Sequence, residues 1–170
     1  MTLRRFGAAA PSVDKTAFVD EDALVIGRVR VSERATVWPR ALIRADDDEV
    51  EIGVGTAVMD LAFVEAPSGS PVKVGAGCII SHGARLHGCT IGDGVLVGIG
   101  ATVLDGATVD SGSIVAAGSL VTAKTIIPKD SLVMGAPAKV VRSVTPVDKE
   151  RLRDELIILA RKAEAYSAQV

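Results

Sequence analysis

At 170 residues the chain is long enough for one domain. It is 48% hydrophobic with 17 glycines but only 3% aromatic, which suits a narrow core of Val, Ile, Leu and Ala and leaves little room for rings. A net charge of −2 with no basic run argues against nucleic acid as a partner, and no apolar stretch approaches the roughly 18 residues of a membrane span.

The N-terminal residues, Arg4 and Arg5 followed by a mixed stretch, carry no signal-peptide core. Cys78 and Cys89 read as reduced, structural thiols. Both observations point to the cytoplasm.

From Val19 an aliphatic residue returns every sixth position, through Val25, Val31 and Val37 to Ile43. Three extra residues precede Ile52, Val58 and Val64, and a four-residue insertion around Ser68–Pro71 precedes Val74, Ile80 and Leu86. One residue is missing before Ile91, and the beat then runs unbroken through Val97, Val103, Val109, Val115, Val121 and Ile127 to Val133. Glycine keeps time three places later, at Gly94, Gly100, Gly106, Gly112 and Gly118. A period of six is neither that of a helix nor that of a sheet face. It describes a short strand ending in a corner, with the aliphatic residue inward and the glycine relieving the corner's backbone strain. Three such faces, about 18 residues, make one coil of a parallel β-helix over residues 1–144.

Residues 145–170 differ. Thr145-Pro146-Val147-Asp148 offers an N-cap, a proline at the first helical position and an acid in the first turn. Leu152, Leu156, Leu159, Ala163 and Tyr166 then form one apolar stripe on a helix of about 20 residues. The stripe is expected to dock on the prism, within the same single domain, and a membrane-surface role is the weaker reading because the polar face mixes both charge signs.

The register also places polar residues. Ile43, Val64 and Leu86 fall on one face of successive coils, so Arg44, Glu65 and His87, the residues after them, point outward and stack in a column. Ile26 and Leu104 bound that column. On another face Val58 and Ile80 are one coil apart, which stacks Asp60 under His82. His82 and His87 are the chain's two histidines. Five residues across a corner separate them by up to roughly 15 Å, whereas ligands of one zinc lie about 3 Å apart. A single chain therefore does not bring His82 to the metal of Glu65 and His87. If a metal is bound, a second chain supplies His82, which argues for a trimer with three shared sites. Plainer readings stay open: the histidines as polar surface, Arg44 as an ion-pair partner of Glu65, Asp46–Glu49 as a solvated loop, and Cys89 as a small buried thiol.

Several segments resemble the γ-class carbonic anhydrase-like proteins, hexapeptide-repeat left-handed β-helices: VWPRALIRADDD from Val37, TAVMD from Thr56, ISHGARLHGCTIGDG from Ile80 and VMGAPAKVVR from Val133. The resemblance spans nearly the whole chain, although the last motif is shared with hexapeptide acyltransferases. It implies a mainly β fold, a left-handed parallel β-helix with the C-terminal α-helix packed on it. It also implies a homotrimer with Zn2+, or Fe2+ or Co2+, held at each interface by three histidines. By position His82 and His87 look like two of these ligands, Arg44 and Asp46 like the ion pair that helps hold the interface, Asp60 like the acid of a Gln-Asp pair, and Tyr166 like a tyrosine near the site. Two positions depart from the family: Glu65 stands where its first histidine ligand belongs, and Met59 where its glutamine positions the reactive hydroxide. The acidic-loop glutamate proposed as a proton shuttle has no clear match.

A His2Glu set is a legitimate zinc site, and two histidines with one carboxylate also suit iron(II). An anionic ligand returns charge to the metal, so water activated there is less acidic than under three histidines. Three functions are thus expected: hydration of CO2 to bicarbonate near Asp60 and Arg44; chemistry on acyl-CoA, as a transferase with His82 or His87 as general base or as a metal-dependent thioesterase; or a non-catalytic trimeric scaffold. For coenzyme A the available basic residues are Arg85, Lys124 and Lys139.

Overall fold

Each six-residue unit folds as a short strand whose aliphatic residue turns inward, and every third unit lands directly above its predecessor. In the computed structural model, which describes residues 2–168, Val25, Ile43, Val64, Leu86, Val103 and Val121 pair in parallel up the first face. Val13, Val31, Ile52, Val74, Ile91, Val109 and Ile127 climb the second. Val19, Val37, Val58, Ile80, Val97, Val115 and Val133 climb the third. Met1, Gln169 and Val170, at the ends of the 1–144 and 145–170 segments, lie outside the described residues. The architecture is the mainly β, parallel β-helix expected, left-handed as hexapeptide repeats wind, with one C-terminal helix.

The insertions stretch coils without breaking the register. Ile91 pairs with Val109, 18 residues on; Val64 pairs with Leu86, 22 on; and Leu86 pairs with Val103, 17 on. Among the described residues the first two faces join in a 12-stranded sheet, because the long strands Leu24–Val31 and Leu42–Ile52 run through the corner between them. Here one expectation is corrected. Asp46–Glu49 do not form a free loop but bulge within Leu42–Ile52, opposite Arg28, between the Gly27–Ala45 and Val29–Val50 pairs. Gly27 permits this close pairing, since a Cβ there would stand 2.1 Å from the Ala45 carbonyl oxygen. The bulge absorbs the extra residues and keeps pairing intact on both sides.

The inward aliphatics form one core that runs the length of the prism, with Val25, Ile43, Val64, Leu86 and Val103 all fully buried. At the corners Gly100 takes φ +64° with open space around it, and Lys124, at the position of the beat that follows Gly118, takes φ +60°. A side chain there is tolerated at about 1 kcal/mol. The top edge of the third face is closed by an antiparallel hairpin, Ser131–Gly135 with Ala138–Ser143, whose turn contains a cis Ala136–Pro137 peptide. That hairpin is the VMGAPAKVVR motif, and it covers an otherwise unpaired strand edge.

Helix α1, Pro146–Ser167, begins at a capping box as the sequence predicts. The Asp148 amide donates to Thr145 Oγ1 at 3.2 Å, and the Thr145 amide and hydroxyl each donate to Asp148 Oδ2 at 2.8 Å. Leu152, Leu159 and Ala163 bury against Trp38, Ala57, Met59 and Ile79 on the third face, so the stripe docks on the prism. Among the described residues no helix is long and apolar enough to cross a membrane.

Candidate functional site

The polar column stands where the register puts it. Arg44 pairs with Glu65, and Glu65 with His87, one coil apart at each step. Arg44 Nε donates to Asp46 Oδ2 at 2.8 Å, and its Nη1 lies 3.3 Å from Glu65 Oε1. Glu65 Oε2 in turn lies 3.6 Å from His87 Nε2. Charge alternates along Asp46, Arg44 and Glu65, and the polar run ends on the His87 imidazole, three coils in all. The Arg44 guanidinium holds the Asp46 carboxyl below the usual carboxylate range, and the same hydrogen bond raises Arg44. Asp46 Oδ1 is buried, with no hydrogen-bond partner among the described residues.

His82 and Asp60 meet at a different corner, beyond the third face. His82 Nδ1 lies 3.1 Å from Asp60 Oδ2, with the imidazole side chain 52% exposed. The two histidines thus belong to separate clusters. Among the described residues no three His, Cys, Asp or Glu side chains converge to hold a metal within one chain. Tyr166 stands apart again. Its ring packs edge-to-face on Phe18 and Trp38, with centroids 6.1 and 5.6 Å away, and Trp38 occupies the coil below Met59.

Two residues at the site are absent from the sequence reading. Asp105 Oδ1 lies 2.6 Å from His87 Nδ1, in addition to the Glu65 contact at the other ring nitrogen. Counting coils puts Leu104, not Asp105, above His87, and the column accordingly looks capped by an apolar residue. The overlooked signal is Gly88. An added Cβ there would stand 2.5 Å from Asp105 Oδ1, so the missing side chain makes the room through which Asp105 reaches back. The second is Ile99, one coil above His82 and 60% exposed, at the mouth of an apolar groove of about 450 Å3 between α1 and the third face. Met59, Ile79, Leu96 and Leu152 line the groove, and His82 stands at its edge.

Both thiols are buried, Cys78 at 0% and Cys89 at 1% exposure. Burial pushes Cys78 up to about 11 and Cys89 up to about 12, so neither supplies thiolate at neutral pH. Both are unpaired and lie in the core, as a structural reading requires.

Three faces of aliphatic rungs, glycine corners and one docked helix define a hexapeptide-repeat β-helix protein carrying histidine–carboxylate pairs on its outer corners. Residues 88–123 match the family described as "Bacterial transferase hexapeptide (six repeats)". The chain is 41% identical over 156 residues to a Methanocaldococcus jannaschii protein named "Probable carbonic anhydrase", covering 92% of this chain and 98% of that one. It is 36% identical to "Gamma carbonic anhydrase 1, mitochondrial" of Arabidopsis thaliana, covering 98% of this chain and 60% of that longer protein. A solved hexapeptide transferase family protein of Anaplasma phagocytophilum superposes with a TM-score of 0.93 at 33% identity, over 97% of this chain and 98% of that one. The chain belongs to the γ-carbonic anhydrase-like family of hexapeptide-repeat proteins.

Proposed function

We propose that the chain assembles as a homotrimer in which each interface shares one divalent metal, Zn2+ first and Fe2+ or Co2+ in its place, and that CO2 is hydrated to bicarbonate there. Glu65 and His87 of one copy would hold the ion together with His82 of the next. The observation that carries this reading is the 3.6 Å between Glu65 Oε2 and His87 Nε2, while His82 stands at another corner. Two donors close to the spacing of metal ligands, and a third that its own chain keeps away, ask for a second copy. The donor set fits the group: each histidine has its Nδ1 against a carboxylate and its Nε2 without one in hydrogen-bonding range, the usual arrangement of imidazole ligands. The buried, unpartnered Asp46 Oδ1 also favours a neighbouring donor across an interface.

Glu65, His82 and His87 would hold the ion, and a zinc there would supply Lewis acidity toward water, tempered by the anionic Glu65. The chain's own residues set the rest. Asp60 orients His82, and Arg44, steadied by Asp46, brings positive charge beside the site for the bicarbonate anion. Glu65 would return negative charge to the ion, and the Met59 thioether would offer no strong hydrogen bond beside it, so hydration would be slower than at a site with histidine and glutamine in those places. Tyr166 takes the family's role only if its hydroxyl reaches the site of a neighbouring copy, which Tyr166→Phe tests. The two unpaired thiols suit a reducing compartment such as the cytoplasm.

One observation favours a second reading. The groove beside His82 is larger and more apolar than CO2 needs, which suits the acyl part of an acyl-CoA in a thioesterase or transferase. Elemental analysis of protein purified without added metal, followed by CO2 hydration and acyl-CoA hydrolysis assays, separates the readings. Near-stoichiometric metal with hydration supports the first, and thioester hydrolysis without hydration the second. Protein free of metal and inactive in both assays leaves the scaffold.

A further inference from the structure

We infer that Asp105 is a positioning residue for His87, fixing the imidazole with its proton on Nδ1 and presenting a bare Nε2 beside Glu65. The inference rests on the shared-metal reading for its purpose, but not for its geometry. Asp105 Oδ1 and His87 Nδ1 are 2.6 Å apart, a short, charge-assisted hydrogen bond in which the ring donates and the carboxylate accepts. Nε2 stands 3.6 Å from Glu65, beyond hydrogen-bonding range, so the two nitrogens are not equivalent. The bond made by one imidazole nitrogen decides which nitrogen is left to coordinate.

The rest of the solenoid shows that this contact is not simply what a corner aspartate does. Asp93 and Asp105 both precede a corner glycine at positive φ, Gly94 and Gly106. Both also lie over a glycine one coil below: Asp93 Oδ1 would be 2.4 Å from a Cβ on Gly75, and Asp105 Oδ1 2.5 Å from one on Gly88. At the Asp93 corner the carboxylate accepts from the Ala76 amide at 2.8 Å and ties two coils together. At the Asp105 corner the imidazole takes the place of that backbone amide. The backbone around Asp105 is held independently, by the Gly106 amide donating to Gly88 at 2.7 Å and the Lys124 amide donating to Asp105 at 2.8 Å. Among the described residues Asp105 makes no ion pair with lysine or arginine, and its carboxylate is committed to His87.

The test compares Asp105→Ala, Asp105→Asn and, as a control for corner stability, Asp93→Ala in the assembled protein. Proton–nitrogen NMR of the metal-free imidazoles reads the tautomer directly, and His82→Ala assigns the two rings. The parent should carry its His87 proton on Nδ1. Asp105→Ala should let the proton redistribute to Nε2 and weaken Zn2+ binding by roughly 10–100-fold. Asp105→Asn, whose side-chain oxygen still accepts, should keep the parent tautomer and recover most of the affinity, and Asp93→Ala should move neither. An unchanged His87 tautomer in Asp105→Ala overturns the inference, and so does a changed tautomer with unchanged zinc affinity. Should the parent take up no zinc, the shared-metal reading falls, and the tautomer alone then decides whether Asp105 positions His87.

Discussion

At single positions, the proposed function gives Glu65 and Met59 a chemical rather than an architectural role. Glu65 is outward and half-buried, paired in register with His87, so a histidine fits its place without repacking the core. Met59 is 6% exposed and lines the groove that His82 also lines, a place where a glutamine would add a hydrogen-bonding amide. Glu65→His and Met59→Gln should each raise CO2 hydration, by on the order of tenfold or more, since hydroxide formation and its placement act on one transition state. Stopped-flow hydration rates with metal content measured alongside check this; the double variant should exceed either single one. If it loads zinc fully yet hydrates no faster than the parent, Glu65 and Met59 do not limit the rate, and the acyl-CoA and scaffold readings move ahead.

Within an element, identical residues serve by different means. Gly100 is a glycine for its positive φ, with open space around it. Gly98 is one for clearance, since a Cβ would stand 2.6 Å from the Ala117 amide nitrogen of the next coil. Gly100→Ala should therefore cost about 1 kcal/mol, and Gly98→Ala about 1–3 kcal/mol from forced separation of coils, as read by denaturant unfolding. For α1, Leu159 is 3% exposed against the third face, and Leu159→Ala should cost about 2–5 kcal/mol. The cap of α1 also predicts an acid dependence. The Arg142 guanidinium, with Thr145 assisting, holds the Asp148 carboxyl well below its ordinary range. A carboxyl depressed in the folded state stabilises above its unfolded value, about 3.9, and that help is lost as pH falls from there. Helical circular dichroism should thus weaken below about pH 4 in the parent. Asp148→Asn should start weaker at pH 7 and respond less.

For the whole molecule, the proposed shared site requires a trimer. Light scattering should give about 52.5 kDa, three chains of 17.5 kDa each; a monomer or a dimer refutes the shared site. A mixing experiment is sharper. Neither a His82→Ala trimer nor a Glu65→Ala/His87→Ala trimer should bind metal. Trimers assembled from both chains should regain some intact sites, because the first chain supplies Glu65 and His87 and the second His82. A site within one chain regains none.

What the sequence determined by itself was the solenoid and its register. The spacing of Val, Ile and Leu fixes which residue faces inward, and a parallel stack repeats that choice coil after coil. Arg44, Glu65 and His87 could therefore be aligned by counting, and Leu152, Leu159 and Ala163 placed on the docked face of α1. Counting fails where a side chain reaches across the register. Asp105 meets His87 from the neighbouring column because Gly88 leaves a gap, and Asp46–Glu49 bulge within a strand because Gly27 admits the Ala45 carbonyl. Helical spacing likewise aligned Tyr166 with the docking stripe, and only the coil that α1 reaches put its ring on Phe18 and Trp38. Periodicity encodes direction, whereas these contacts depend on the space that neighbouring coils leave open, and only the tertiary structure sets that.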